Sequence, residues 1–361
     1  MSRPARVDYD LEAAKANLQR VRGLAPRQKI MAIIKADAYG HGLQRMAAAF
    51  SAADAFGVAC LEEAQGLRDR GVKHPIVLLE GPFSPGELRE MQRLALDIVI
   101  HHDEQIAMLR DLPEGHRLGV WLKVDSGMHR LGFAPQRVRG VWEDLQRCGA
   151  VAPPVRLMTH LACAHERGHP SVPVQLACFA QACADIRTER CIANSAALLA
   201  WPAAYADWVR PGIMLYGVSP FTDSSAAAEG LRPVMSLRSQ LIAVKTVRAG
   251  EGVGYGGDWH CPEDMPIGIV ALGYGDGYPR HARPGTPVLV NGKRTALIGK
   301  ASMDMLSVDL RPVPAAAVGD PVLLWGAGLA VEEVARWADT IPYEILCGVR
   351  GRPQFLDPNA G

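Results

Sequence analysis

The chain lacks the marks of several protein classes. Its 39 Lys and Arg nearly balance 38 Asp and Glu, leaving a net charge of +1. With no basic cluster or arginine-rich tail, nothing points to a nucleic-acid partner or an anionic membrane surface. No apolar run approaches the ~20 residues that a membrane helix needs. The amino terminus, MSRPARVDYDLEAAK, has neither the apolar core nor the small-residue cleavage site of a secretory signal. Eight cysteines are scattered with no C-x-x-C pair, so no zinc ribbon or thioredoxin-like site is signalled. Several sit in helix-like text such as VQLACFAQACADI and read as free thiols of a reducing cytoplasm.

What is present is globular: 48% apolar and 21% charged residues. The 361 residues exceed the ~250–300 at which one core stops growing, so two domains are expected. From residue 10 to about 225, strand-like and helix-like text alternates, as in KIMAIIK, LQRMAAAF, AFGVAC and LEEAQGLRDRG. Eight strands fall near residues 32, 58, 77, 98, 121, 157, 191 and 209. Their apolar runs are near-continuous, which suits a parallel sheet buried on both faces. The fold class expected is α/β: a (β/α)8 TIM-type barrel over residues 8–225. After residue 226 short β-like pieces are split by Gly and Pro, and Asn291-Gly292 marks a hairpin. One helix, VEEVARWADT, falls late. This predicts a mostly β second domain over 226–361, which residues 1–7 could join.

In such a barrel the chemistry collects at the carboxyl ends of the strands. The first strand runs into Lys35, the fifth into Lys123 and on to Arg130, the sixth into His160. The seventh runs into Asn194 and Ser195, the eighth into Arg210, Gly212 and Ile213. The last two loops are where these barrels often bind phosphate, and a hydroxyl beside glycine N–H groups suits that anion. An amine across the same mouth suggests pyridoxal phosphate, with a Schiff base to Lys35. Each signal is weak alone: Asn-Ser before a helix is usually a cap, and a lone histidine is usually structural. Convergence on one rim is what favours the reading. A metal site from His160, His165 and His169 is given little weight, the last two reading as a solvated loop. Gly252, Gly254 and Gly256 precede no helix, which argues against a dinucleotide fingerprint.

The motifs IIKADAYGHG, KVDSGMHRLGF, MTHLACA, ANSAA, VRPGIMLYG, GYGDGY, KASMDM and YEILCGV occur in this order across nearly the whole chain. In number, order and spacing they resemble the alanine racemase family. The resemblance implies a homodimer whose active sites are each completed by the partner's β domain. It implies that Lys35 carries the cofactor and is the base on the D side of alanine. Tyr255, in VGYGG, would be the L-side base, supplied by the partner. Arg210 would face the pyridine nitrogen with His160 behind it, and Tyr39, Ser195, Gly212, Ile213 and Tyr343 would hold the phosphate. Asn194 ranks with the cofactor-binding positions. Arg130 would meet the cofactor's phenolic oxygen and the substrate carboxylate, which the N–H of Met303 would also meet. Lys123 matches a position carbamylated in many members, and Tyr274, Arg280 and Asp304 match residues at the mouth. The family's products serve peptidoglycan synthesis or alanine catabolism.

Two alternatives share the architecture: a pyridoxal-phosphate amino-acid decarboxylase and a broader amino-acid racemase. The decarboxylases place a glutamate where this chain has Arg210. A non-catalytic carrier of the cofactor is a lone barrel, without the domain that bears Tyr255 and Met303. One departure from the family pattern is Lys300, in GKASMD, where an arginine is frequent. His41 has no assigned role.

Overall fold

A computed structural model describes residues 3–112 and 117–356. Residues 1, 2 and 357–361, at the outer ends of the expected second domain, lie outside the described residues. The first strand, β1 (Arg6–Tyr9), belongs to a sheet made mostly by the second half of the chain. Eight strands then close a parallel barrel in sequence order. They are β2 (Lys29–Ile33), β3 (Ala55–Val58), β4 (Ile76–Leu78), β5 (Asp97–Ile100), β6 (Leu118–Lys123), β7 (Val151–Met158), β8 (Arg190–Asn194) and β9 (Trp208–Arg210). The seam is closed by Lys29 beside Trp208 and Ile30 beside Val209.

The continuous apolar strands follow from this closure. Side chains of one parity fill the barrel: Met31 and Ile33 meet Val77, Val99, Trp121 and Trp208 there. Trp121 and Trp208 pack edge to face at 5.6 Å. The other parity, such as Ile30 and Ala32, packs under the helices. At the amino ends of the strands Arg156 bridges Asp97 and Glu189, each at 3.0 Å. Helices start where their caps require it. Ser84 Oγ accepts the N–H of Glu87, and Asn194 Oδ1 accepts that of Ala197.

The second domain is built on β10 (Met235–Val247), thirteen residues long. Its start pairs with β1 and with Pro321–Trp325, and its far end pairs with Met265–Val270. The strands Pro287–Val290 and Lys293–Ile298 form the hairpin expected at Asn291-Gly292. Both turn residues have positive φ, 51° and 74°, as a type I′ turn requires. Two late helices occur where one was expected, Val331–Trp337 and Pro342–Gly348. The second opens on proline, whose missing N–H costs nothing at a helix start. It carries Tyr343 onto the barrel.

Candidate active site

Lys35 and His160 stand just past their strands, which end at Ile33 and Met158. From Lys35 the chain enters a left-handed turn. Ala36, Asp37, Ala38 and Tyr39 have φ of 52–55° and ψ of 40–51°. For residues with a β-carbon this costs about 1–2 kcal/mol each. Surrounding bonds offset that strain. Tyr9 donates its hydroxyl to Gly40 O and Tyr216 to Ile33 O, both at 2.9 Å. Asp37 Oδ1 accepts the N–H of Leu43 at 2.6 Å. The sequence places two glycines here, but four non-glycine residues carry the turn. It brings Tyr39 back over the barrel, its ring 4.8 Å from that of Tyr216 and 6.0 Å from that of Tyr343. Burial holds the Tyr39 hydroxyl well above the usual phenol range, and pushes that of Tyr343 up to about 12.

Beside the Tyr39 hydroxyl lies a cradle from the last two barrel loops. Ser195 Oγ accepts the N–H of Gly212 at 2.8 Å and of Met214 at 3.4 Å. Gly212 leaves room for the Tyr39 hydroxyl, which a β-carbon there would meet at 2.6 Å. Ile213 is buried beside it.

Arg210 is buried at the end of β9 and fixed from several sides. Its Nη2 donates to Thr159 O at 2.7 Å and to His160 Nδ1 at 3.2 Å, while Nη1 points at Cys191 Sγ, 2.8 Å away. Because arginine only donates, His160 Nδ1 is a lone-pair acceptor here. Burial first, then the charges of Arg210, Lys123, Arg130 and Lys35, hold His160 well below the usual imidazole range. The same forces act on Lys123: burial, then Arg210, Arg130 and Lys35, bring its amine down to about 7. Lys123, Arg130, Thr159 and His160 line one cavity. Asp125 borders it, but its Oδ1 is turned away to the N–H groups of Gly127, Met128 and His129. The rim thus concentrates Lys35, Lys123, Arg130 and Arg210. This donor set, with the Ser195–Gly212 cradle, fits an anionic cofactor.

Some supporting residues carried no signal in sequence. Cys191 backs Arg210, and Gln175 donates to His160 O at 3.1 Å. The histidine cluster weighed in sequence is not assembled. His169 instead approaches Cys163 and Glu166, with potential ligand atoms within 4.8 Å of one another on a part-exposed loop, while His160 turns to Arg210. His165 and His169 do stand in H-E-x-x-H spacing, but the segment is a turn broken by Gly168 at φ 77°, not a helix.

The remaining expected residues lie on loops of the second domain. Tyr255 is 68% exposed and Met303 52%. The backbone of Lys300 lies beside Gly254, and its amine pairs with Asp258. Tyr274 N–H donates to Ser302 O, tying its loop to that of Met303, and Arg280 lies over the Tyr274 ring at 5.9 Å. Asp304 pairs with Arg352 at 2.6 Å.

Residues 9–220 match the alanine racemase amino-terminal domain and residues 234–356 the carboxy-terminal domain of the same enzymes. The chain belongs to the alanine racemase family. Alanine racemase of Nitrosococcus oceani is 53% identical over 343 residues, 95% of this chain and 96% of that one. The crystal structure of biosynthetic alanine racemase from Pseudomonas aeruginosa superposes with a TM-score of 0.96 at 47% identity. That match covers 99% of this chain and 100% of the other. Alanine racemase from Bartonella henselae, described with covalently bound pyridoxal phosphate, has a TM-score of 0.89 at 27% identity, covering 99% and 100%. The enzyme is therefore a racemase that interconverts L- and D-alanine, from a family dependent on pyridoxal phosphate. These relatives are alanine racemases, which supports that reading over the decarboxylase alternative. Among the described residues no helix is long and apolar enough to cross a membrane.

Proposed function

We propose that this rim binds pyridoxal phosphate, and that Lys35 and Tyr255 of the partner subunit pass the Cα proton of alanine between them. The observation that carries the reading is the gathering of Lys35, Lys123, Arg130 and Arg210 beside the Ser195–Gly212 cradle. A phosphate anion is complementary to that field and to those donors. Ser195, the N–H groups of Gly212 and Ile213, and the hydroxyls of Tyr39 and Tyr343 would hold the phosphate. Asn194 supports them by capping the helix that starts at Ser195. The cofactor, held by Lys35 at rest and by the substrate's own amine during the reaction, would supply the electron withdrawal that makes the substrate Cα–H acidic and would leave the Lys35 amine free.

The chain's own residues do the rest. Racemisation requires a proton to leave one face of Cα and another to reach the opposite face, so two bases are needed. Lys35 Nζ serves the D side and the partner subunit's Tyr255 the L side. Arg210 would offer the ring nitrogen only N–H donors, which would keep that nitrogen unprotonated, moderate the withdrawal and disfavour transamination. His160 accepts from Arg210 and fixes its orientation. Arg130 and the partner subunit's Met303 N–H receive the substrate carboxylate. A carbamate on Lys123 would give Arg130 an anionic partner.

The dimer reading is supported by the exposed apolar side chains of the second-domain loops, Tyr255, Tyr274, Met303 and Met305. A second copy would bury them and bring Tyr255 to a barrel mouth. Tyr274, Arg280 and Asp304 would then border the approach to the site. The test of the cofactor site is borohydride reduction of the purified enzyme followed by peptide mapping. A reduced cofactor label on Lys35 is expected, and a label on another lysine would refute the assignment.

A further inference from the structure

We propose that His41 is a positioning residue for this site, acting through a single N–H. Its ring is completely buried, three residues past Ala38 and two past Tyr39. Nδ1 lies 2.9 Å from Tyr39 O and 3.1 Å from Ala38 O. Carbonyl oxygens only accept, so Nδ1 carries the ring proton. Nε2, with no hydrogen-bond partner, faces the interior as a bare lone pair. The ring is walled by Tyr216, 4.6 Å between centroids, and Tyr9, at 5.8 Å. Burial brings its pKa down to about 4, which agrees with a permanently neutral ring.

The two acceptors identify the purpose. Ala38 and Tyr39 form the second half of the left-handed turn whose first residues follow Lys35. A left-handed turn of residues with β-carbons persists only where its surroundings over-determine it. The Nδ1–H of His41 pins the turn's carbonyls from inside the core. Tyr9 and Tyr216 pin the flanking carbonyls of Gly40 and Ile33. The Lys35 amine at one end and the Tyr39 hydroxyl at the other are thereby held in register with the Ser195–Gly212 cradle. The inference rests on the reading of Lys35 and Tyr39 as cofactor-holding residues.

Two substitutions separate a donor from a space-filler. His41→Asn places an N–H one bond beyond Cγ, where Nδ1 stands, but leaves a void. His41→Phe fills the site with a somewhat larger ring and removes the donor. Both are made in the full-length enzyme, and cofactor dissociation constant, kcat and KM for alanine are measured. His41→Phe should weaken cofactor binding about tenfold or more and lower kcat with little change in KM, as a buried carbonyl loses its donor. His41→Asn should restore most of both. The opposite order, with Phe near wild type and Asn impaired, would reduce His41 to packing and overturn the proposal. Should His41→Phe not fold, nuclear magnetic resonance of isotope-labelled histidine in the wild-type enzyme decides. The His41 signal, assigned by its loss in His41→Asn, should show the Nδ1–H tautomer, and an Nε2–H tautomer would contradict the proposal. Borohydride mapping of the wild type keeps the two claims apart. A label away from Lys35 sinks the cofactor reading, whereas a label on Lys35 with unchanged affinity in His41→Phe sinks only this one.

Discussion

The hydroxyl of Tyr39 occupies the place a β-carbon on Gly212 would crowd, 2.6 Å from it. Gly212 has a negative φ, −125°, so the contact with Tyr39 rather than a left-handed backbone marks this position for glycine. Two loops far apart in sequence thus meet at one atom. Gly212→Ala should push Tyr39 aside, cost about 1–3 kcal/mol of stability as an overpacked site, and weaken cofactor binding. Adding Tyr39→Phe should recover stability but not affinity. Thermal unfolding and cofactor titration of the single and double variants check this. Unchanged values in Gly212→Ala would contradict it.

Ser195 accepts two backbone N–H groups, from Gly212 and Met214. Ser195→Ala leaves both without that acceptor and should destabilise the protein by about 1–3 kcal/mol. It should also raise the cofactor dissociation constant, measured by equilibrium dialysis, and added inorganic phosphate should no longer compete as well for the site.

Lys123 carries a pH signature. Its amine ordinarily releases its proton near 10.5 and does so near 7 in the fold. Between those values the unfolded chain binds the extra proton, so stability from this group rises with pH. It is full above 10.5, lost as pH falls toward 7, and constant below. Urea unfolding in carbon-dioxide-free buffer should show this slope, and Lys123→Met should lack it. A neutral amine also adds carbon dioxide, forming an N–C bond and releasing a proton to give the carbamate. Bicarbonate should therefore raise the activity of the wild type and leave that of Lys123→Met unchanged. Equal pH slopes in the two proteins would refute the shift.

Two bases on opposite faces predict an asymmetric defect. Tyr255→Phe should abolish solvent exchange of the Cα proton of L-alanine while sparing much of that of D-alanine. Proton magnetic resonance in deuterated water follows both, and equal losses would reject the assignment.

Much of this is legible in the sequence. The barrel could be read because parallel strands buried on both faces leave unbroken apolar runs, of which Lys29–Ile33 is one. Lys35, Lys123, His160, Ser195 and Arg210 could be placed on one rim because each closely follows such a run. The left-handed turn could not. Ala36 to Tyr39 hold no glycine, and their conformation is imposed by His41, Tyr9 and Tyr216, which no local pattern connects. Tyr343 arrives from a helix of the second domain that the short run PYEILCG did not reveal. The pairing of β1 with β10 joins residues over two hundred positions apart, beyond the reach of periodicity.

The central claim is that one active site is shared by two chains, Lys35 from one and Tyr255 from the other. Mixing inactive Lys35→Ala with inactive Tyr255→Phe enzyme tests it most directly. Random exchange makes half the dimers hybrid, and each hybrid has one intact site of two. Activity should return to about one quarter of the wild-type value in a two-fold symmetric dimer. No recovery, with hybrid dimers confirmed by native mass spectrometry, would contradict the account.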